Sequence, residues 1–286
     1  MQKYCRRVIV RWKSIPIVEK TYRNAVMNIL EKIIAYKRKE LAVSIKRTPV
    51  KKLESSKLFT REIIPLTDYI LNPAKTGIIA EFKRKSPSKG IINRVSEIEQ
   101  VTSGYCHYGA SGISVLTDNK FFGGSSSDLL HARAVSPVPI LRKDFIIDEY
   151  QIIESRAIGA DAILLIAAAL DKDRVLQLAR FARSLGLQVL LEIHDPGEIE
   201  TINEFIDIIG VNNRDLNTFR VDIRNSIEMV GKIPGHFIQI SESGISSPSI
   251  LKELREAGYH GFLIGEQFMC APDPVKAFAE FARLIK

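Results

Sequence analysis

Apolar and polar positions alternate in a repeating plan from about residue 73 to the end of the chain. Eight short apolar runs, rich in β-branched residues, are separated by stretches whose apolar positions recur at helical spacing. The runs are centred on Ile79, Ser114, Ile140, Leu164, Val189, Ile209, Ile238 and Leu263, and the helical stretches include 96–105, 149–158, 172–184 and 248–257. Runs such as 162–166, apolar at every position, are typical of parallel strands covered on both faces. Eight strand–helix units predict an α/β protein with a single closed (β/α)8 TIM barrel.

An open doubly wound sheet is the alternative interpretation of this alternation. Such sheets commonly carry a Gly-x-Gly-x-x-Gly turn after the first strand, and no such turn follows the run at Ile79. The sequence also contains no Gly-Lys-Ser/Thr phosphate loop. The pattern therefore favours the closed barrel and gives no support to a dinucleotide site.

An amphipathic helix is predicted ahead of the barrel, over residues 28–45. Its apolar positions are Ile29, Leu30, Ile33, Ile34, Leu41 and Ile45, and its polar side carries Glu31, Lys32, Lys37, Lys39 and Glu40. We expect this helix to lie on the rim or the bottom of the barrel, with a shorter helix near 56–59 after the break at Pro49. The predicted domain is 27–286, a barrel that includes an N-terminal helical extension within 28–60.

Positive charge is concentrated at the N-terminus. The formal net charge is +8, but residues 1–52 hold 15 Lys and Arg against 3 Glu, so the remainder is slightly acidic. No basic stripe interleaved with aromatics follows residue 52, which argues against nucleic-acid binding. Residues 1–26 form a basic extension of unknown role. Their acid-poor composition is compatible with organelle targeting, a surface helix or an upstream choice of start codon.

The cysteines and the hydropathy indicate where the protein is located. Cys5, Cys106 and Cys270 are odd in number and far apart, which predicts free thiols in a reducing compartment. The longest apolar run, 162–170, is shorter than the roughly 20 residues that cross a bilayer. We expect a cytoplasmic protein without membrane contact, or an organelle protein if residues 1–26 are a targeting segment.

Polar residues stand at the carboxyl ends of the predicted strands, where barrels of this type build their active sites. Gly244 and Gly265 follow the seventh and eighth strands, where such barrels usually bind phosphate. Short helices starting there would direct free backbone N–H groups at an anion. The alternative is that both glycines only close tight turns.

Acids and amines at other strand ends indicate proton transfer. We expect Lys143 to be a general acid whose pKa is lowered by apolar walls and other cations, the alternative being a salt bridge to Asp144. We expect Glu192 to be an acid or base whose pKa is raised by the apolar strand around it. Its alternative role is an ion pair with Lys143 or Lys83.

Two pairs of polar residues share a spacing of two along their strands. Glu81 and Lys83 therefore face the same way, into the mouth of the barrel. Asn212 and Arg214 repeat this spacing and supply an amide and a guanidinium for hydroxyls and anionic groups. The five histidines show no metal-ligand spacing, so we expect no metal site.

Eight short motifs, in a fixed order, make the chain recognisable. They are IAEFKRKSPSKG (79–90), ISVLTD (113–118), FGGS (122–125), LRKDFI (141–146), LEIHD (191–195), VNNRDL (211–216), SESGI (241–245) and LIGE (263–266). Together they resemble indole-3-glycerol phosphate synthases over about residues 27–286. Ala168 stands where some members of that family carry a further lysine.

The resemblance implies an activity in tryptophan biosynthesis. 1-(2-Carboxyphenylamino)-1-deoxyribulose 5-phosphate would be converted to indole-3-glycerol phosphate, carbon dioxide and water, without cofactor or metal. Lys143 would be the general acid of ring closure and Glu192 the acid/base group of dehydration. The implied positioning and binding residues are Lys83, Glu81, Ser86, Asn212, Glu242 and Arg214, with Ser243, Gly244, Gly265 and the backbone of Glu266 binding phosphate.

Two competing functions and the partners stay open at this point. Another phosphate-binding barrel, such as phosphoribosylanthranilate isomerase, would use a Cys/Asp pair, and Cys106 and Cys270 are not at suitable strand ends. A ligand-sensing barrel without activity would have replaced its acid/base residues, and these are present. We expect a phosphorylated small-molecule substrate and a monomer or weak homo-oligomer. Association with other enzymes of the tryptophan pathway is left open.

Overall fold

A closed barrel of eight parallel strands is the centre of the fold. The computed structural model describes residues 27–285. The strands are β1 (Ile78–Phe82), β2 (Gly112–Leu116), β3 (Ile140–Lys143), β4 (Ala162–Ile166), β5 (Gln188–Ile193), β6 (Ile208–Asn212), β7 (Ile238–Glu242) and β8 (Gly261–Ile264). Each strand pairs with its neighbours in sequence, and β8 pairs with β1 to close the ring. The predicted barrel and all eight strand positions are confirmed.

Helices surround and precede the barrel. They are α1 (Ile29–Arg47), α2 (Val50–Glu54), α3 (Leu66–Leu71), α4 (Ile98–His107), α5 (Ser126–Val135), α6 (Glu149–Ile158), α7 (Lys172–Ser184), α8 (Arg224–Met229), α9 (Pro248–Ala257), α10 (Glu266–Met269) and α11 (Pro274–Ile285). Three of the four predicted helical stretches have the expected bounds. Each of these begins after an N-cap, Asp148, Asp171 or Ser247, whose side chain accepts a backbone N–H of the first turn.

Two connections differ from a simple strand–helix alternation. After β1 the chain forms a small antiparallel hairpin from Lys85–Ser86 and Gly90–Ile91. Between β5 and β6 the connection is a 3-10 helix, Pro196–Thr201, capped by Asp195. Both irregular connections lie at the carboxyl ends of strands, where loops of these barrels build the site.

The barrel interior is layered, and alternate strands supply each layer. Ile79, Leu141, Leu190 and Ile240, from the odd-numbered strands, belong to one buried apolar cluster. Two residues further along the same strands stand Glu81, Lys143, Glu192 and Glu242, which face the same way because side chains alternate along a strand. The top layer of the interior is therefore charged and rests on an apolar layer.

Helix α1 lies on the rim of the barrel, which decides between the two predicted positions. Asn28 and Glu31 form a capping box at its start, and its first turns line the central cavity. Lys37, predicted on the polar side, is only 3% exposed. Its Nζ lies 2.9 Å from both Asp118 Oδ2 and Asp144 Oδ1, at the ends of β2 and β3. That prediction was wrong because Lys37 neutralises buried carboxylates on the barrel, which a helical pattern does not reveal.

The second helix begins earlier than predicted. Residues 56–59 form turns, and the helix is α2, which starts directly after Pro49 at its N-cap. Proline at a helix start has a suitable fixed φ and lacks an N–H that would be unpaired there, so the helix follows the break at once. The basic segment 1–26, with its targeting hypothesis, lies outside the described residues. The division of the chain at residue 26 stays a prediction.

A buried carboxylate fixes the opposite end of the barrel. Asp161, which precedes β4, is fully buried and accepts hydrogen bonds from Arg61 Nη2 and Arg133 Nη1, both at 2.7 Å. It also accepts the backbone N–H groups of Ile64 and Ile140 at 2.8 Å. One side chain thus joins the segment before α3 to β3 and α5.

Replacement of Asp161 should be strongly destabilising. In Asp161→Asn the amide cannot neutralise Arg133 or accept all four hydrogen bonds, so we expect a loss of about 3–5 kcal/mol in the free energy of unfolding. Urea denaturation measures this loss. Asp173→Asn, an exposed change on α7, is the matched control and should cost less than about 0.5 kcal/mol. Equal stabilities for the two variants would contradict the assigned role.

Candidate active site

A cavity of about 570 Å³ opens at the carboxyl ends of the strands. All twelve residues singled out from the sequence line it: Glu81, Lys83, Ser86, Lys143, Glu192, Asn212, Arg214, Glu242, Ser243, Gly244, Gly265 and Glu266. They come from β1, β3, β5, β6 and β7 and from the segments that follow β1, β6, β7 and β8. The fold therefore brings the whole predicted set together in one place.

Lys143 lines this cavity, and its amine lies between two carboxylates from other strands. Its Nζ is 3.0 Å from Glu192 Oε2 and 2.5 Å from Glu242 Oε2. The predicted alternative, a salt bridge to Asp144, is wrong, because Asp144 pairs with Lys37 and Arg142. Neighbours on a strand point to opposite faces, so Asp144 turns outward to helix α1 while Lys143 turns inward.

Both predicted pKa shifts are wrong in direction. Burial alone would lower the Lys143 pKa, but the nearby carboxylates of Glu192, Glu242 and Glu81 outweigh burial and raise it. Burial would raise the Glu192 pKa, but Lys143 and His194 outweigh it and lower that pKa to about 2. The resting site therefore holds a charged Lys143 beside an ionised Glu192.

Glu242 is the group of the cluster that titrates near neutral pH. Burial raises its pKa to about 7 against the opposing attraction of Lys143, and the negative charges of Glu192 and Glu81 add to the rise. Its Oε1 atom has no hydrogen-bond partner among the described residues and lies against Gly210 of β6, where a Cβ would collide with it. Sequence reasoning gave Glu242 only an orienting role because its position does not reveal this environment.

Glu81 and Lys83 form a second ion pair at the edge of the cavity. Lys83 Nζ is 2.5 Å from Glu81 Oε1. Gly265, on the neighbouring β8 end, faces Glu81 so closely that a Cβ there would lie 2.6 Å from Oε1. The absence of a side chain at Gly265 thus provides the space that Glu81 occupies.

The loops after β7 and β8 present unpaired backbone donors. Ser243 and Gly244 both have positive φ, at 68° and 79°. Within residues 27–285 the backbone N–H groups of Gly244, Gly265 and Glu266 have no hydrogen-bond acceptor. The expected short helix is found after β8, where α10 starts at Glu266, whereas after β7 a bend leads into α9. These free donors, with positive charge nearby, can bind an anion.

Cations flank this donor group. Lys89 Nζ lies 2.7 Å from Glu266 Oε1, and Arg214 Nη2 lies 3.4 Å from Glu266 Oε2. Ser86 is buried next to the turn of the hairpin that carries Lys89, and its Oγ accepts the Lys89 backbone N–H. The Glu266 side chain is thus held by two cations, and its backbone N–H stays free.

Sequence reasoning missed the apolar wall of the cavity. Side chains of Ile29, Leu30, Ile33, Phe122, Phe145, Leu216, Phe219 and Val221 line it beside the charged residues. The helical spacing of Ile29, Leu30 and Ile33 was visible in the sequence, but it did not indicate that these side chains face a cavity. A cavity with apolar walls and few polar groups is typical of small-molecule sites.

Comparison with known proteins identifies the family. The sequence model described as indole-3-glycerol phosphate synthase matches residues 30–281. The chain belongs to this family. Indole-3-glycerol phosphate synthase of Bacteroides thetaiotaomicron is 47% identical over 266 residues, covering 91% of this chain and 99% of that protein. The synthase of Polaromonas sp. strain JS666 is 43% identical over 257 residues, covering 88% and 97%. The indole-3-glycerol phosphate synthases are carboxy-lyases of tryptophan biosynthesis.

Solved structures support the barrel fold alone. Thiamine phosphate pyrophosphorylase from Pyrococcus furiosus superposes with a TM-score of 0.57 at 14% identity, covering 77% of this chain and 98% of that one. 3-Hexulose-6-phosphate synthase from Salmonella typhimurium gives 0.57 at 16% identity, covering 73% and 97%. At such identities the likeness concerns architecture and not activity.

Two further observations concern residues 27–285. No helix in this part of the chain is long and apolar enough to cross a membrane. No three side chains of His, Cys, Asp or Glu within it are grouped so that they could hold a metal ion. The sequence-based expectation of catalysis without a metal stays a prediction, which activity in excess chelator tests.

The opposite pKa shifts of Glu242 and Glu192 predict opposite effects on stability. The folded-state pKa of Glu242 is raised from 4.5 to about 7. Protonated Glu242 therefore contributes stability that is fully present below pH 4.5 and is lost as the pH rises through about 7. The free energy of unfolding of Glu242→Gln, relative to that of the parent, should therefore rise by about 2 kcal/mol from about pH 5.5 to about pH 8.5. Thermal unfolding at both pH values measures this gain.

Glu192→Gln is the matched comparison. A folded-state pKa lowered to about 2 gives stability present above pH 4.5 and lost only as pH falls toward 2. This variant should be less stable than the parent at both about pH 5.5 and about pH 8.5. If Glu242→Gln showed the same offset from the parent at both pH values, the assignment of the raised pKa to Glu242 would be wrong.

Proposed function

We propose that this cavity closes the indole ring of 1-(2-carboxyphenylamino)-1-deoxyribulose 5-phosphate, with Lys143 as the general acid. The observation that carries the proposal is the position of Lys143, which lines the cavity with its Nζ between Glu192 and Glu242. A cavity of about 570 Å³ has room for a ligand of this size. Its anion-binding loops, cations and apolar wall match the phosphate, carboxylate and aryl groups of that substrate.

The phosphate end of the substrate is assigned to the loops after β7 and β8. The free N–H groups of Gly244, Gly265 and Glu266 supply donors. Ser243 supplies a hydroxyl beside them, and Lys83 is close enough to Glu266 to influence its pKa. Lys83 therefore acts at this end and polarises the substrate together with Glu81, while Lys143 acts at the reacting carbons.

Ring closure requires a proton on the ribulose carbonyl oxygen while the aromatic carbon attacks the carbonyl carbon. Lys143 Nζ donates this proton, the carbon–carbon bond forms, and carbon dioxide leaves with return of its electron pair to the ring. In the resting site the carboxylates of Glu192, Glu242 and Glu81 weaken Lys143 as an acid by raising its pKa. When the substrate's carbonyl oxygen takes the place of Glu242 beside Nζ, one of these carboxylates is removed from Lys143 and the ammonium becomes more acidic.

Dehydration then completes the indole. The hydroxyl formed from the carbonyl leaves as water with a proton that Lys143 donates once it is charged again, and a proton is lost from the adjacent carbon. Glu192, ionised at rest, accepts that proton and lies 3.0 Å from Lys143, to which it can pass it. Asn212, Arg214 and Ser86 line the cavity around this point and orient the hydroxyls and the carboxylate.

Loss of the Lys143 amine should abolish most of the activity. Lys143→Met keeps the length of the side chain and removes the acid, so kcat should fall by roughly 100- to 10,000-fold. An indole-fluorescence progress curve in excess chelator measures turnover of the proposed substrate. Lys120→Met, an exposed lysine outside the cavity, is the matched control and should retain the activity of the parent. Near-normal turnover of folded Lys143→Met would refute its role as the acid.

The space at Gly265 should be required for binding. A Cβ at this position would lie 2.6 Å from Glu81 Oε1 and 2.8 Å from Glu81 Cβ, displacing Glu81 and the loop that presents the N–H groups. We expect Gly265→Ala to lower kcat/KM at least about 10-fold, mainly through KM. Gly235→Ala introduces the same methyl group where nothing lies within 4 Å and should leave kcat/KM unchanged. Equal kinetics for both would contradict the phosphate assignment.

Location and assembly follow as narrower proposals. We propose that the chain acts as a monomer or weak homo-oligomer in the cytoplasm. Sedimentation of the purified protein tests the first point. An intact N-terminal mass from native cells tests the second, since removal of part of residues 1–26 would indicate import into an organelle.

A further inference from the structure

A second cavity lies beside the active site, behind Glu192. Its volume is about 520 Å³, and most of the residues that line it are polar, among them His194, Asp195, Glu198, Asp215, Arg220 and Asp222. Asn212, Arg214 and Leu216 line both cavities, whereas Glu192 lines only the first and His194 only the second. These two residues thus form part of the wall between the cavities.

His194 lies between two carboxylates, one on each side of this wall. Its Nε2 is 3.4 Å from Glu192 Oε1, and its Nδ1 is 3.5 Å from Glu198 Oε2. Neither ring nitrogen has a well-formed hydrogen bond within the described part of the chain, although the side chain is only 11% exposed. Both contacts are of ion-pair length, and such contacts often shorten once a substrate is bound.

The surrounding groups favour a charged ring. Four carboxylates act on it, those of Glu192, Glu198, Glu242 and Asp215. Burial would lower the His194 pKa, but Glu198, Glu192 and Glu242 outweigh burial and raise it. The backbone of His194 is fixed as well, because Asn225 Nδ2 donates to its carbonyl and to that of Asn212.

The proposed reaction takes up one proton in each turnover. Its substrate enters with an ionised carboxylate, and that group leaves as neutral carbon dioxide. Ring closure and departure of the hydroxyl consume two protons, and the adjacent carbon returns one. The buried cluster of Lys143, Glu192 and Glu242 must therefore regain one proton from solvent each time.

We propose that His194 delivers this proton from the second cavity to Glu192. A proton enters at Nδ1 from water or from Glu198, and the imidazolium releases the proton on Nε2 to Glu192 Oε1. The ring then turns so that Nε2 reaches the water of the second cavity, where Nε2 takes up a proton and Nδ1 loses one, which restores the starting tautomer. Glu192 passes the proton that it received to Lys143, 3.0 Å away. His194 is on this proposal a positioning and proton-transfer residue that does not contact the substrate, and the proposal rests on the assigned role of Glu192.

Kinetics with added imidazole test the proposal. His194→Ala should lower kcat at least 10-fold at about pH 8, with little change in KM, because proton transfer becomes limiting. Imidazole in solution should restore part of kcat through the second cavity, and substituted imidazoles should rescue in proportion to their basicity. His131→Ala is the matched control, since His131 Nδ1 lies 3.3 Å from Glu99 on the surface, and neither loss nor rescue is expected there.

A second variant separates proton transfer from support of the structure. His194→Asn keeps a polar side chain at the wall but cannot carry a proton, so it should show the same loss of kcat and a larger solvent deuterium isotope effect than the parent. Parent-like kcat in His194→Asn, or His194→Ala without rescue, would overturn the relay. An inactive parent or a fully active Glu192→Gln would instead overturn the proposed function.

Discussion

The balance of charge in the top layer of the barrel is the constraint on which the site depends. Glu81, Glu192 and Glu242 place three carboxylates among apolar walls, and Lys83 and Lys143 supply two positive charges. Each unpaired buried ion costs several kcal/mol, so the layer is stable only when its charges nearly cancel. With one carboxylate in excess, Glu242 keeps its proton up to about pH 7. The site therefore carries one mobile proton at neutral pH as a result of its own electrostatics.

The closed barrel is what allows this layer to form. Four alternate strands point their side chains to the same level, so residues far apart in sequence meet there. The layer below is apolar and shields the charges from solvent on that side. Gly210, on the intervening strand β6, and Gly265, directly after β8, leave the space that Glu242 and Glu81 occupy. The same backbone regularity that makes the barrel predictable thus fixes the spacing of the acids and amines.

This explains which parts of the site could be predicted from the sequence. Strand ends were visible as the last polar residues after apolar runs, so the twelve lining residues could be chosen without coordinates. Of their partners, the ion pair of Glu192 with Lys143 was named as an alternative and is found, whereas the pairing of Lys143 with Glu242, 99 positions away, was not predicted. A pKa depends on those partners more than on burial alone, which is why both predicted shifts had the wrong sign. The motif LEIHD likewise contained His194 but not the cavity behind it.

Helix α1 is part of the site as well as of the scaffold, and Lys37 connects the helix to the barrel. Lys37 bridges Asp118 and Asp144, and Arg142 holds the other oxygen of Asp144, so the pKa of this carboxyl falls to about 2 despite complete burial. Asp144 directly follows Lys143, so the ion pair that fixes the helix also fixes the backbone beneath the proposed acid. Because α1 lines the cavity with Ile33 and its neighbours, a shift of the helix would move the apolar wall and the amine together. Helix α1 is thus coupled to the chemistry by the buried charge of Lys37, which the amphipathic pattern had placed on the solvent side.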